Sequence, residues 1–252
     1  MEMMEILKKG VEDKASDVFI IAGSPVCYKL NGHIYSIGEN KLNTLDTNVL
    51  VKEIYKMADN RATVPVLVDG DDDFSFSIEG LSRFRVSIYK QRGSLAAVIR
   101  IVTFGIPDPA AMHIPQNVLD LAESNKGLVL FTGAAGSGKS TTLACIIDLI
   151  NKNRNAHIIT LEDPLEYLHR HNKSLISQRE VSSDTQSYST GLRSALRQSP
   201  DVILLGEMRD YETINVVMTA AETGQLIFST LHTMGVSKTI DRIIDVFPAD
   251  QQ

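Results

Sequence analysis

Apolar residues at Met3, Met4, Leu7 and Val11 recur at helical spacing and predict a short helix at the start of the chain. Val18 to Ile21 is a short apolar run, the pattern of a strand. Val26 to Leu30 and His33 to Ile37 flank Asn31-Gly32, a strong signal for a two-residue hairpin. Thr44 is placed to cap a helix running to about Met57, with Leu45, Val49 and Ile54 on one side. Phe74 to Ile78 and Phe84 to Tyr89 alternate strictly, with a turn at Glu79 to Ser82 between them, and Leu95 to Val102 is a further strand. Two helices and several strands predict a mainly antiparallel sheet covered on one face. Asp69 to Asp73 holds four acidic residues and reads as a solvated loop, since no calcium-loop spacing follows it.

Residues 105–116 contain Pro107, Pro109 and Pro115 and read as a linker. Beyond it the pattern changes. Strands at Gly127 to Thr132, His157 to Leu161, Val202 to Leu205 and Leu226 to Thr230 alternate with helices. The helices are Thr141 to Asn151, Thr185 to Gln198, Tyr211 to Glu222 and Ser237 to Val246. Strand–helix alternation predicts a parallel sheet with crossover helices. The expected organisation is thus a small α+β domain over 1–105, a linker over 106–117 and an α/β domain over 118–252.

Composition narrows the function. The chain has 252 residues, 43% hydrophobic and 22% charged, within the globular range. Two cysteines, Cys27 and Cys145, exclude a disulfide scaffold and a Cys₄ zinc site within this chain. No apolar run reaches the roughly 20 residues that span a bilayer, and the first ten residues lack the apolar stretch of a signal peptide. A cytoplasmic location is expected. The net charge of −6 is uneven: residues 1–105 carry −1 and residues 106–252 carry −5. An acidic second half argues against a surface built to hold nucleic acid.

Gly133-Ala134-Ala135-Gly136-Ser137-Gly138-Lys139-Ser140 fits G-x-x-x-x-G-K-[ST], between an expected buried strand and an expected helix. Backbone N–H groups of such a loop curl around the β-phosphate. Lys139 would reach the β- and γ-phosphates, and the Ser140 hydroxyl would ligate Mg²⁺. A glycine-rich turn without a ligand is the plain alternative, and the flanking elements disfavour it. Val202 to Leu205 is an apolar strand that ends in Gly206-Glu207, with glycine where many P-loop proteins carry aspartate. Glu207 at that strand end is the candidate water-activating base. Glu162 and Asp163 follow another buried strand, and beside a P-loop they suit a hydrated Mg²⁺ or a second water contact. Alone, Glu-Asp-Pro is ordinary turn chemistry. His232, just past the last strand, is placed to sense the γ-phosphate, although a lone histidine is more often structural. His169 and His171 read as a polar loop. Arg193 and Arg197, four apart on one helix, read as a solvated face. Arg83 and Arg85 share a strand face, and with Arg100 they are candidates to complete a phosphate site between domains or subunits.

Four segments, Gly133–Thr142, Leu161–Tyr167, Asp201–Asp210 and Ala221–Thr233, resemble the Walker A, Asp, Walker B and His boxes of the secretion and type IV pilus ATPase superfamily, in order and spacing. Lys238 to Pro248 and the short N-terminus resemble the retraction branch that serves twitching motility. The resemblance covers essentially the whole chain. It implies a PAS-like N-terminal domain, a RecA-like P-loop ATPase domain and a homo-hexameric ring with ATP and Mg²⁺ between the domains. It also implies binding residues Gly133, Gly136, Ser137, Gly138, Lys139, Ser140 and Thr141, with Glu207, Glu162 and His232 catalytic. Arg85 and Arg100 would approach the phosphates, with Arg83 a third candidate. An inner-membrane pilus platform protein would be the partner, which places the chain in the cytoplasm at the inner membrane.

The chain departs from the family at Gln225, which replaces the first histidine of the His box, and at Ala134-Ala135, Ser199 and Phe19. It ends at Gln252, where the family continues with a helical region needed for retraction, so ATP binding is expected to survive better than retraction. A pilus-extension or type II secretion ATPase is the alternative within the superfamily. A RecA-like nucleic-acid motor and a non-hydrolysing nucleotide-gated regulator are alternatives of other classes. The acidic second half argues against the first, and the joint presence of Lys139 and Glu207 against the second.

Overall fold

The computed structural model describes residues 2–102 and 105–249; the outermost residues of the expected ranges, Met1 and 250–252, lie outside it, as do Thr103 and Phe104. The chain divides into two units, Met1–Phe104 and Gly105–Gln252.

In the first unit α1 (Met3–Glu12) precedes three strands, β1 (Asp17–Ile20), β2 (Val26–Leu30) and β3 (His33–Ile37). Asn31 and Gly32 join β2 to β3 with φ of 49° and 84°, the left-handed pair that a tight hairpin of this twist requires. Helix α2 (Thr44–Met57) follows, then a short helix α3 (Val64–Val68) that the sequence pattern did not reveal. The unit closes with β4 (Asp71–Ile78), β5 (Ser82–Gln91) and β6 (Ser94–Val102). The six strands form one antiparallel sheet in the order β3-β2-β1-β6-β5-β4. Met3, Ile6 and Leu7 of α1 and Leu50, Val51 and Ile54 of α2 pack with Val18, Tyr28, Phe84, Val86 and Ile99 into its core.

Three expectations for this unit need correction. Asn43, not Thr44, caps α2: its Oδ1 accepts from the Leu45 and Asp46 amides at 2.7 and 3.0 Å. The face of α2 is also different. Leu45 and Val49 are 74% and 55% exposed, while Thr47, Leu50, Val51, Ile54 and Tyr55 are buried, so Leu45 and Val49 do not share the core with Ile54. Finally, Asp71 to Asp73 are not a solvated loop but the start of β4. Asp72 is buried, takes two bonds from the Arg61 guanidinium at 2.9 and 3.1 Å, and accepts from Tyr55 Oη at 3.0 Å. Three donors compensate its desolvation. Replacing Asp72 with Ala is expected to destabilise the unit by about 1–2 kcal/mol, because Arg61 remains 41% exposed and water screens its share. Urea unfolding followed by far-UV circular dichroism reads this directly.

The second unit carries α4 (Gln116–Leu119), a 3₁₀ turn (Asp120–Glu123), β7 (Gly127–Thr132), α5 (Lys139–Asn153), β8 (His157–Glu162) and β9 (Leu175–Glu180). These are followed by α6 (Tyr188–Ala195), β10 (Val202–Leu205), α7 (Tyr211–Glu222), β11 (Leu226–Leu231) and α8 (Val236–Ile244). All five strands run parallel in the order β7-β11-β10-β8-β9. The edge strand β9 was not foreseen: Leu-Ile-Ser-Gln-Arg-Glu offers one buried aliphatic, Ile176, and its Leu175 is 65% exposed. The central β10, Val-Ile-Leu-Leu, is apolar throughout because it is covered on both faces. Val202 and Leu204 pack with Ile146, Ile147 and Ile150 of α5. Ile203 and Leu205 pack on the other side with Leu192 of α6 and Ile214 and Val217 of α7. The antiparallel α+β unit and the parallel α/β unit are the PAS-like and RecA-like folds expected from the sequence.

Candidate nucleotide site

In a parallel sheet the C-terminal strand ends open together onto one edge, where ligands bind. Here β7 leads into the glycine-rich loop, β8 delivers Glu162 and Asp163, β10 delivers Gly206 and Glu207, and β11 delivers His232. These residues line one cavity of about 340 Å³ with Gly136, Gly138, Lys139, Ser140 and Thr141. Four segments separated in sequence by up to a hundred residues are thus brought together.

The loop is shaped by its first glycine. Gly133 sits at φ +146°, and a Cβ there would meet Ser137 Oγ at 2.9 Å, so only glycine fits. Gly133 and Ser137 form the loop without lining the cavity. Lys139 Nζ donates to the Gly133 and Ala134 carbonyls at 2.8 and 2.9 Å, which folds its charge over the loop. Ser140 and Thr141 lie in the first turn of α5, where free N–H groups and the helix dipole favour an anion. The Thr141 hydroxyl is hydrogen-bonded to Tyr167 Oη at 2.9 Å.

The end of β10 is held firmly. The Gly206 amide donates to the Leu161 carbonyl at 2.8 Å, and Thr230 Oγ1 donates to the Gly206 carbonyl at 2.6 Å. The Glu207 side chain is only 12% exposed. Its Oε1 is paired with Arg209 Nη2 at 2.5 Å, while its Oε2 lies 3.9 Å from His232 Nε2. One carboxylate oxygen is therefore anchored by a guanidinium and the other is turned towards the histidine. Asp210 accepts from the Thr213 amide at 2.8 Å and caps α7, which fixes the segment from its other side.

Glu162 differs from Glu207. Its Oε1 accepts from Thr160 Oγ1 at 2.6 Å, but burial dominates and pushes its pKa up to about 7. A carboxyl that ionises near 4.5 when unfolded and near 7 when folded holds its proton in the native state between those values. The stability contributed by this group is then full below about pH 4.5 and is lost as pH rises through about 7. Between pH 5 and 8, nucleotide-free protein is expected to lose on the order of 2 kcal/mol through this group. Glu162→Gln should flatten that slope, and denaturant midpoints at the two pH values test it.

His169 and His171 lie in the loop before β9. Within that loop, burial lowers the pKa of His169 to about 4 and keeps it neutral. His171 Nδ1 accepts from the Ile176 amide at 3.0 Å. Gln225 immediately precedes β11 and His232 immediately follows it, so they sit at opposite ends of a six-residue strand. Gln225 accepts from Thr223 Oγ1 at 3.1 Å and takes no part in this cavity. Arg193 pairs with Glu212 at 2.8 Å, both more than half exposed. Arg85 and Arg100 lie on β5 and β6 of the first unit and face each other across the ladder. Arg100 also pairs with Asp17 at 3.1 Å. Sequence reasoning gave no role to Arg209, Thr230 or Tyr188. Of these, Arg209, two residues from Glu207, had a visible signal.

The Type II/IV secretion system protein family matches residues 2–248. The chain belongs to this family. The type IV pilus retraction ATPase PilT of Pseudomonas aeruginosa is 40% identical over 252 residues, covering all of this chain and 72% of that protein. A twitching motility protein of Neisseria gonorrhoeae is 51% identical over 180 residues, covering 71% of this chain and 48% of that one. Among solved structures, the pilus retraction motor PilT with bound ADP superposes with a TM-score of 0.88 at 44% identity, over all of this chain and 73% of that one. The ATPase DotB of Legionella pneumophila superposes with a TM-score of 0.80 at 30% identity, covering 100% of this chain and 71% of that one.

Proposed function

We propose that this chain is an ATP-hydrolysing motor of type IV pilus retraction, working as a homo-hexamer on an inner-membrane platform protein from the cytoplasmic side. One observation carries the enzymatic part: Lys139 and Ser140 share a single cavity with a shielded Glu207 whose Oε2 faces His232. A binding module needs the loop; only a hydrolase also needs the carboxylate. Among the described residues no helix is long and apolar enough to cross a membrane.

In this reading the loop N–H groups of Gly136, Gly138 and Lys139 hold the β-phosphate, and Lys139 Nζ exchanges its two carbonyl partners for phosphate oxygens. Gly133 and Ser137 keep the loop in shape. Ser140, Glu162 and Asp163 line the cavity with hard oxygen donors and would hold Mg²⁺ there. When bound, Mg²⁺ supplies neutralisation of charge on the β- and γ-phosphates. Thr141 steadies the first turn of α5 through Tyr167. Glu207 Oε2 accepts a proton from the attacking water while Arg209 fixes the carboxylate by its other oxygen. His232 stands beside it to register the γ-phosphate. Arg85 and Arg100 are the proposed arginines that reach the phosphates once copies assemble.

Phosphate release from ATP should require Mg²⁺ and remain unchanged on adding DNA; DNA-stimulated, salt-sensitive turnover would favour a nucleic-acid motor instead. Direction is read by complementation. This chain, continued by the C-terminal helical region of a strain's own retraction ATPase, should restore twitching when that ATPase is deleted. An extension or secretion role has its own support, since a putative type II secretion system protein E of Escherichia coli is 41% identical over 172 residues, covering 64% of this chain and 32% of that protein. Restored piliation in a strain lacking its extension ATPase would favour that role.

A further inference from the structure

Tyr188 opens α6 just behind its cap Ser187 and lines the same cavity as Glu207. Its hydroxyl sits against the end of β10. A Cβ built on Gly206 would lie 2.6 Å from Tyr188 Oη, 3.4 Å from its Cζ and 3.3 Å from the Leu161 carbonyl. The phenol oxygen therefore fills the room that any side chain at position 206 would enter. Many P-loop NTPases place an aspartate near the end of this strand, where it helps to hold Mg²⁺. This chain has a glycine and, in its space, a hydroxyl.

The surroundings define what that hydroxyl does. Burial first, and then the charges of Glu207, Asp163 and Glu162, raise the Tyr188 pKa above its ordinary value. The phenol stays protonated at any working pH, so it has one hydrogen to give and lone pairs to accept with. Carboxylates can take the hydrogen. The lone pairs are left for a water. A water beside Glu207 has two hydrogens, and a base takes only one of them.

We propose that Tyr188 is a positioning residue for hydrolysis: its hydroxyl accepts the second hydrogen of the water that Glu207 activates and so aims that water's lone pair at the γ-phosphorus. The water's first hydrogen passes to Glu207, the oxygen–phosphorus bond to the γ-phosphoryl group forms, and ADP leaves with the electrons of the broken bond. Tyr188 neither gains nor loses a proton in this step. The proposal rests on the reading of Glu207 as the base.

Tyr188→Phe removes one oxygen and keeps the ring. It should lower kcat about tenfold, the usual weight of one such hydrogen bond in a transition state, while KM for ATP and the affinity for a fluorescent ADP analogue stay within about twofold. A packing role alone would leave kcat unchanged. Gly206→Ala supplies a second reading. Made alone, it sets its methyl against the Tyr188 hydroxyl and should cost turnover heavily. Combined with Tyr188→Phe, it should cost little more than Tyr188→Phe by itself. Melting temperatures of all variants separate unfolding from lost positioning. Glu207→Gln is measured in parallel. If it keeps full turnover, the base reading fails and this proposal with it. If it loses turnover while Tyr188→Phe keeps the parental kcat, the base stands and Tyr188 is overturned alone. Equal losses of kcat and nucleotide affinity in Tyr188→Phe would also overturn it.

Discussion

Replacing Glu207 with Gln is expected to lower ATP turnover by about 10²–10⁴-fold while leaving ATP binding nearly intact. The amide keeps the shape of the side chain, and its carbonyl oxygen can still meet Arg209 at the position now held by Oε1. It cannot take up the proton of the attacking water. The effect should therefore fall on kcat and spare the binding of a fluorescent ATP analogue. The small exposure of Glu207, 12%, sharpens the expectation, because little bulk water is available to replace the lost base. Unchanged turnover would assign the base to another residue, and His232 would then be the neighbour to test first, 3.9 Å from Oε2.

Lys139→Ala is expected to act on binding instead. Its ammonium now rests on the Gly133 and Ala134 carbonyls, a neutral environment that a phosphate oxyanion would displace. A charged hydrogen bond to a phosphate is worth about 1.5–3 kcal/mol, so ATP affinity should fall on the order of 100-fold, and turnover at modest ATP should vanish with it. Titration of a fluorescent nucleotide gives the affinity directly. Because the two loop carbonyls that its ammonium bonds are exposed or only partly buried, water can take its place there, and the melting temperature without nucleotide should change little. Full affinity in the variant would remove the loop from the nucleotide site.

The two variants together separate the classes of function that the sequence left open. A gated regulator loses its response with Lys139 and keeps it with Glu207 replaced. A hydrolase loses turnover with either, for different reasons.

Much of this site was legible before any coordinates, because its groups sit next to local signals. A glycine loop between a strand and a helix announces itself, and so does a carboxylate ending the apolar run Val202 to Leu205. What periodicity could not give was which neighbours meet in space. Tyr188 lies well before Gly206 in the chain, and only the crossing of α6 behind β10 puts its hydroxyl in the place of a side chain there. Arg209 sits in plain view, but its pairing with Oε1 depends on a turn held by Thr230 and the Asp210 cap. The first unit shows the opposite error. Leu45 and Val49 looked like core by type and spacing, yet α2 turns Leu50, Val51 and Ile54 inward instead. Acidity at Asp71 to Asp73 suggested water, but Arg61 and Tyr55 supply Asp72 with enough donors to bury it in a strand. The polar edge strand β9 escaped because an edge needs few apolar residues.

The most direct test of the motor reading is ATP turnover measured against protein concentration, with mass determined in the same samples with and without ATP and Mg²⁺. The expected result is a rate per chain that climbs as hexamers form, since Arg85 and Arg100 would complete the site only on assembly. A constant rate per chain from a monomer, or no turnover at any concentration, would contradict it.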